Sequence, residues 1–113
     1  IFDDVKDNFT IMKEEPFGPL VPVLSFKSFE EVVDRANNND LGLCSYIYTN
    51  SMDQANRASE LMETGTVAVN TAAVAVAEAP FGGIKQTGYG REGGSSAIKD
   101  YLNIKYTHLG LKI

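Results

Sequence analysis

The sequence predicts an α/β fold: a parallel βαβαβ unit followed by a glycine-rich loop, a short helix and a last strand. Two observations carry this reading. Short apolar runs rich in strand-forming residues recur at 20–26, 43–49 and 66–70, and a helix-capping serine opens each interval between them. Strands that alternate with helices pair in parallel through helical crossovers. The chain has 113 residues, 43% of them hydrophobic, which suits one small domain with a modest core.

The first run contains Leu20, Val21, Val23, Leu24 and Phe26 and suits a buried strand, although Pro22 pushes it toward a sheet edge because proline cannot donate to a ladder. Ser28 and Glu31 form a capping box. Phe29, Val32, Val33 and Ala36 follow at i, i+3, i+4 and i+7, so a helix runs to about Asn37, where three asparagines and Asp40 end it. Residues 43–49 read as the second strand. Ser51 and Gln54 make a second capping box, and the helix they open turns Ala55, Ala58, Leu61 and Met62 inward and closes at Gly65, read as a left-handed C′ residue. Residues 66–70 form the third strand. Residues 71–79 are small and mostly apolar with no turn signal, and a glycine-dense stretch follows directly. A long irregular connection inside a compact unit more often serves function than nothing. Residues 95–102 suit a short helix, with Ala97, Ile98 and Tyr101 on one face. Residues 104–113 suit a last strand with a free edge.

The net charge of −5, with ten basic residues scattered along the chain, excludes a nucleic-acid face. No apolar run approaches the roughly 18 residues that span a bilayer, so no membrane partner is expected. A single cysteine cannot form an internal disulfide, which points to a reducing, cytoplasmic setting. The opening Ile1-Phe2-Asp3-Asp4 reads as mid-sequence, and the chain is expected to be a piece of a longer protein. Asn8-Phe9-Thr10 matches a glycosylation acceptor by chance.

Residues 79–92 are the most informative stretch, because proline, phenylalanine, repeated glycines and charged side chains crowd together there. Within it begins Gly88-Tyr89-Gly90-Arg91-Glu92-Gly93, a literal G-x-G-x-x-G. The dinucleotide fingerprint needs a strand directly before it and an acid about 20 residues later; both are missing. Gly83 and Gly88 have P-loop spacing, but Tyr89 and Gly90 stand where Lys and Ser or Thr are required, which excludes ATP. Cys44 lies inside an apolar strand and the one histidine, His108, lies on the last strand, so a buried structural thiol and a surface imidazole are expected. No His, Cys and carboxylate set has metal-ligand spacing, and no metal is expected. Glu14-Glu15-Pro16-Phe17-Gly18-Pro19 makes a rigid turn that either holds an acid and a ring at fixed positions or is a solvated acidic turn anchored by Phe17.

Three segments together, Glu14-Glu15-Pro16-Phe17-Gly18-Pro19, Gly65-Thr66-Val67-Ala68-Val69-Asn70 and the run from Pro80 to Glu92, resemble the C-terminal portion of the NAD(P)-dependent aldehyde dehydrogenases in order and spacing. The tail from Gln86 to Tyr106 is worded most like the succinate-semialdehyde dehydrogenase branch. The resemblance implies that Glu15 hydrogen-bonds the nicotinamide ribose and that Phe17 packs beside the nicotinamide. It also implies that Phe81 is an aromatic wall of the aldehyde pocket, and that residues 71–78, with Val74 and Ala75, form the substrate-selecting loop.

On the same resemblance, residues 1–103 are the C-terminal part of the catalytic domain, and residues 104–113 are a strand added to a neighbouring subunit's sheet in a homo-oligomer. The reaction implied is oxidation of an aldehyde to a carboxylic acid: a thiolate attacks the carbonyl, hydride leaves for NAD or NADP, and water hydrolyses the thioester. In the family the nucleophilic cysteine, the base and the Rossmann domain all precede the Glu-Glu-x-Phe-Gly-Pro turn. No catalytic residue is therefore expected in this chain, Cys44 included, and the cofactor is expected to bind mainly outside it. Ala75 stands where the succinate-semialdehyde branch has a carboxylate-holding serine, and the apolar loop offers no replacement. Two other readings stay open on the residues alone: a self-sufficient anion-binding module and a purely structural assembly piece.

Overall fold

The computed structural model describes residues 1–112. Its two α-helices are α1 (Phe29–Asn37) and α2 (Met52–Leu61), and its strands are β1 (Leu41–Gly42), β2 (Cys44–Ile47), β3 (Thr66–Val69) and β4 (Ile84–Lys85). The centre is one βαβ crossover. β2 and β3 pair in parallel from Cys44 against Thr66 to Ile47 against Val69, and α2 joins them. β1 and β4 form a separate antiparallel pair, Leu41 against Lys85 and Gly42 against Ile84.

Both predicted caps form, each by a longer route than a plain capping box. The Ser28 hydroxyl accepts from the Glu31 N–H at 3.1 Å, while the Glu31 carboxylate accepts from Lys27 rather than from Ser28. Ser51 accepts from the Gln54 N–H at 3.3 Å; Gln54 answers through Thr49, whose hydroxyl donates to the Gln54 amide oxygen and accepts from the Ser51 N–H. Each arrangement satisfies donors that the first helical turn leaves unpaired.

The helices and β3 meet at Val33, Ala55, Ala58 and Ala68, the four buried apolar residues of the chain as described. Ala55 and Ala58, three apart on one face of α2, let α1 approach closely. Leu61, expected inward, is 48% exposed, because the helix stops there and Met62 is already extended. At the helix surfaces Arg57 of α2 lies 4.5 Å over the Phe29 ring and pairs with Glu30 at 3.0 Å, clasping α2 to the start of α1.

Several expectations need correction. The run at 20–26 forms no strand: only Val21 and Val23 exchange hydrogen bonds with Phe2, around Pro22, which has no N–H to carry the ladder on. The βαβαβ unit is therefore reduced to the β2-α2-β3 crossover. Residues 95–102 give only a 3-10 turn, Ala97–Tyr101, without a side-chain cap. Residues 104–112 pair with no strand among the described residues, and Ile104, Tyr106, Leu109 and Leu111 are all more than 80% exposed. The last residue of that predicted strand, Ile113, lies outside the described residues.

Gly65 is not a left-handed cap. Its φ is not positive, and a Cβ there would collide with the Gly82 carbonyl oxygen, so glycine is required where the start of β3 crosses the glycine-rich segment. The left-handed residue is instead Asn70, directly after β3, with φ of 55°. Its N–H donates to the Ile47 carbonyl at 2.8 Å, and its carboxamide both accepts from the Thr49 N–H (3.0 Å) and donates to the Thr49 carbonyl (2.9 Å). The side chain thus extends the β2-β3 ladder while the main chain turns away.

Candidate functional site

The glycine-rich segment is a closed loop, because Phe81 and Glu92 exchange both backbone hydrogen bonds at 2.7 and 2.8 Å. A compact loop with touching ends and its own internal bonds is a common way to carry a site. Two contacts fix it to the scaffold: the Gly42 N–H donates to the Thr87 hydroxyl at 2.8 Å, and the Gln86 N–H to the Asp40 carbonyl at 2.9 Å. Inside the loop, Arg91 Nη1 donates to the carbonyls of Gly83 (2.8 Å) and Gly90 (2.7 Å). Asp100, from the 3-10 turn, accepts from the Arg91 N–H at 2.8 Å.

Two open grooves flank this loop. The larger, about 1400 Å³, runs between the C-terminal end of α1, residues 11–15 and the side of the loop at residues 85–89; Glu15 and Lys85 line it. Its far rim is held by Arg35, which bonds Asp7 at 2.8 Å, the Ser25 carbonyl at 2.9 Å and Glu31 at 3.3 Å. The hydrogen bond to Asp7 is the chief reason that the Arg35 guanidinium is held above its ordinary pKa. The smaller groove, about 630 Å³, is lined by Phe81, Gly82, Gly83, Arg91 and Tyr101 among others. Gly88 and Tyr89 line both grooves.

The residues singled out from the sequence are not gathered into one cavity by this chain. Glu15 stands in the larger groove and makes no hydrogen bond or ion pair among the described residues, so both its oxygens are open to a donor. Phe81 stands in the smaller groove and is half-buried. Phe17 is 95% exposed and lines neither groove. Val74 is half-buried and Ala75 exposed, also outside both. Loop 71–79 folds on itself, with the Thr71 hydroxyl accepting from the Ala73 N–H at 3.1 Å.

Cys44 is half-buried rather than fully buried, and its thiol faces the Ser45 carbonyl at 3.8 Å. The neighbouring Cys44 thiol is also the main cause that raises the Tyr46 hydroxyl above its ordinary pKa. His108 is exposed and meets the Tyr106 hydroxyl at 3.2 Å, so imidazole and thiol do not form a pair. Among the described residues no group of three or more His, Cys, Asp or Glu is placed to hold a metal ion, and no helix is long and apolar enough to cross a membrane.

The G-x-G-x-x-G stretch does not present a helix N-terminus to a phosphate. Gly88, Gly90 and Gly93 have φ of 114°, 90° and 69°, and the next helical turn starts only at Ala97. Three of its six N–H groups are already engaged: Gly88 with Lys85, Arg91 with Asp100 and Glu92 with Phe81.

Residues 1–107 match the sequence model of the aldehyde dehydrogenase family. This chain is a member of that family. It is 48% identical over 110 residues to 3-sulfolactaldehyde dehydrogenase of Pseudomonas putida, covering 97% of this chain and 23% of that protein. It is 44% identical to the mitochondrial succinate-semialdehyde dehydrogenase of Arabidopsis thaliana, covering 97% of this chain and 21% of the relative. The NAD+ complex of an aldehyde dehydrogenase from Bacillus cereus superposes with a TM-score of 0.91 at 44% identity, over 97% of this chain and 22% of that one. The chain thus spans about a fifth of the length of the aldehyde dehydrogenases it matches.

Three structural features of this aldehyde dehydrogenase chain were not foreseen from its sequence: the hub made by Lys85, the Asn70 clasp and the tie between Arg91 and Asp100. A charged side chain in a glycine-rich stretch was the only available signal for the first and third. A positive φ at a non-glycine residue leaves no trace in sequence spacing.

Proposed function

We propose that the protein carrying this chain oxidises an aldehyde to a carboxylic acid with NAD or NADP, and that this chain supplies part of the cofactor and substrate walls while nucleophile and base lie elsewhere. The observation that carries the proposal is Glu15, an unpaired carboxylate in an open groove beside the glycine-rich loop. Two oxygens on one planar group can accept from two neighbouring hydroxyls at once, which suits a ribose diol. No pyrophosphate cradle accompanies it among the described residues, so the dinucleotide is held there by its nicotinamide half. The cofactor, when bound, accepts the hydride. Phe17 packs beside the nicotinamide; its near-complete exposure in this chain is the state of a ring whose neighbours come from elsewhere.

Phe81, Val74 and Ala75 are assigned to the aldehyde side. Residues 71–77 carry no cation, and the Thr71 hydroxyl is their one side-chain donor, so the charge of a substrate carboxylate would have to be met by other residues. The two named relatives are similarly close in identity yet carry different substrate names, so identity does not choose the aldehyde. Residues 104–113 are assigned to a neighbouring subunit's sheet in a homo-oligomer, a role supported by the exposure of residues 104–112 and by the lack of any strand partner for them among the described residues. The single, half-buried thiol supports a reducing, cytoplasmic setting.

The anion-binding module gains little support, since three N–H groups of the loop, those of Gly88, Arg91 and Glu92, are bonded within the chain, one of them to the Asp100 carboxylate. The full-length enzyme is expected to form NADH or NADPH from its dinucleotide and an aldehyde, and the 113-residue chain alone none. Absorbance at the reduced-nicotinamide band checks both, and turnover by the chain alone would overturn the division of labour.

A further inference from the structure

The geometry points to Lys85 as a positioning residue: its ammonium fastens the glycine-rich loop to the C-terminal ends of both helices and so sets the wall that the two grooves share. Lys85 Nζ lies 2.7 Å from the Asn37 carbonyl, 3.1 Å from the Asn39 carbonyl and 2.6 Å from the Glu63 carboxylate. An ammonium has three donors, and all three are used. Two of the acceptors belong to the end of α1, where carbonyls lack helical partners and the helix dipole favours a cation. The third stands just past α2. Asn37 ties the same two ends together, donating to the Leu61 carbonyl and accepting from the Glu63 N–H, each at 2.8 Å.

The backbone at Lys85 has a φ of 55°, which a residue with a long side chain adopts only where its surroundings enforce it. Here the enforcement is visible on both sides. Lys85 pairs with Leu41 in the β1-β4 ladder, and the next residue, Gln86, donates its N–H to Asp40. Gly88 and Tyr89, three and four residues on, line both the Glu15 groove and the Phe81 groove. Lys85 itself lines the Glu15 groove, so displacing the ammonium moves the wall that the two grooves share and changes one polar group of the larger one.

The kinetic part of the test rests on the aldehyde-oxidation reading; the structural part does not. In the full-length enzyme, Lys85→Met is expected to speed hydrogen exchange at the Gln86 and Thr87 amides roughly tenfold while the β3 amides at Val67–Val69 stay unchanged, as loss of charge-assisted bonds at one hub implies. KM for dinucleotide and aldehyde should rise roughly tenfold with kcat held within about twofold, and Lys85→Arg should recover most of both effects. Unchanged exchange at Gln86 and Thr87, or a fall in kcat with KM unchanged, would overturn the assignment. Should Lys85→Met fail to fold, Glu63→Gln leaves both carbonyl acceptors in place and must speed the same amides by a smaller factor; no change there overturns it equally. A wild-type enzyme that reduces no dinucleotide with any aldehyde would refute the aldehyde reading alone, because the exchange measurement needs no turnover.

Discussion

Gly65 shows how a single atom sets the path of the chain. The start of β3 and the Gly82-Gly83 pair cross so closely that the missing Cβ is the only room available. The obstacle is a backbone carbonyl, which cannot swing aside as a side chain can. Gly65→Ala is therefore expected to destabilise the full-length enzyme by about 3 kcal/mol, the upper range for overpacking. The urea midpoint checks this; a loss below about 0.5 kcal/mol would mean that the crossing relaxes freely. The expected role of Gly65 as a helix cap failed for a plain reason: a glycine needed for a left-handed turn and one needed for a close crossing look identical in sequence. Asn70 is the converse case, a left-handed residue with no glycine to announce it.

At the scale of elements, α1 and α2 join through a thin apolar seam at Val33, Ala55 and Ala58 and a clasp of Arg57 on Phe29 and Glu30. Glu30 sits in the first turn of α1, and its carboxyl is held below 4.5, first by its own backbone N–H and then by Arg57. A depressed folded pKa stabilises the fold above the unfolded value, and that contribution is lost as pH falls through the folded one. Arg57→Met should therefore move the Glu30 titration up toward 4.5 without reaching it, because the backbone N–H remains. Carboxyl-carbon NMR of the protein checks this, and a midpoint that does not move would count against the clasp. The helices were legible from their sequence because a cap and its first turn are neighbours in the chain. The strand at 20–26 was not, because a strand exists only through a partner, and Phe2 meets it at two bonds on either side of a proline. The β1-β4 pair was missed for the same reason: two-residue strands as far apart as Leu41 and Lys85 leave no periodicity to read.

On the scale of the molecule, the chain measures 77 × 33 × 25 Å with a radius of gyration of 19.5 Å, against about 13 Å for a compact domain of this length. Four small residues make its core, while Phe2, Phe26, Ile98 and Tyr101 are each at least half exposed. The family was legible in ordered motifs spread along the whole chain. The candidate site residues were legible only one by one, because Glu15 and Phe81 line different grooves in this chain. Residues 104–112 are exposed throughout. Deleting 104–113 from the full-length enzyme is expected to lower its oligomeric mass in sedimentation velocity, and an unchanged mass would remove the assembly role proposed for them.

The Asn70 clasp gives the loop at 71–79 a chemical lifetime as well as a shape. Its two side-chain hydrogen bonds to Thr49 require a carboxamide, one end donating and the other accepting. Hydrolysis of that amide to a carboxylate removes the donor and sets a negative charge against the Thr49 carbonyl. A slow covalent lesion, with no unfolding and no change of ligand, would then release the base of the loop, so that the oldest molecules in a population would differ from the youngest at this one joint.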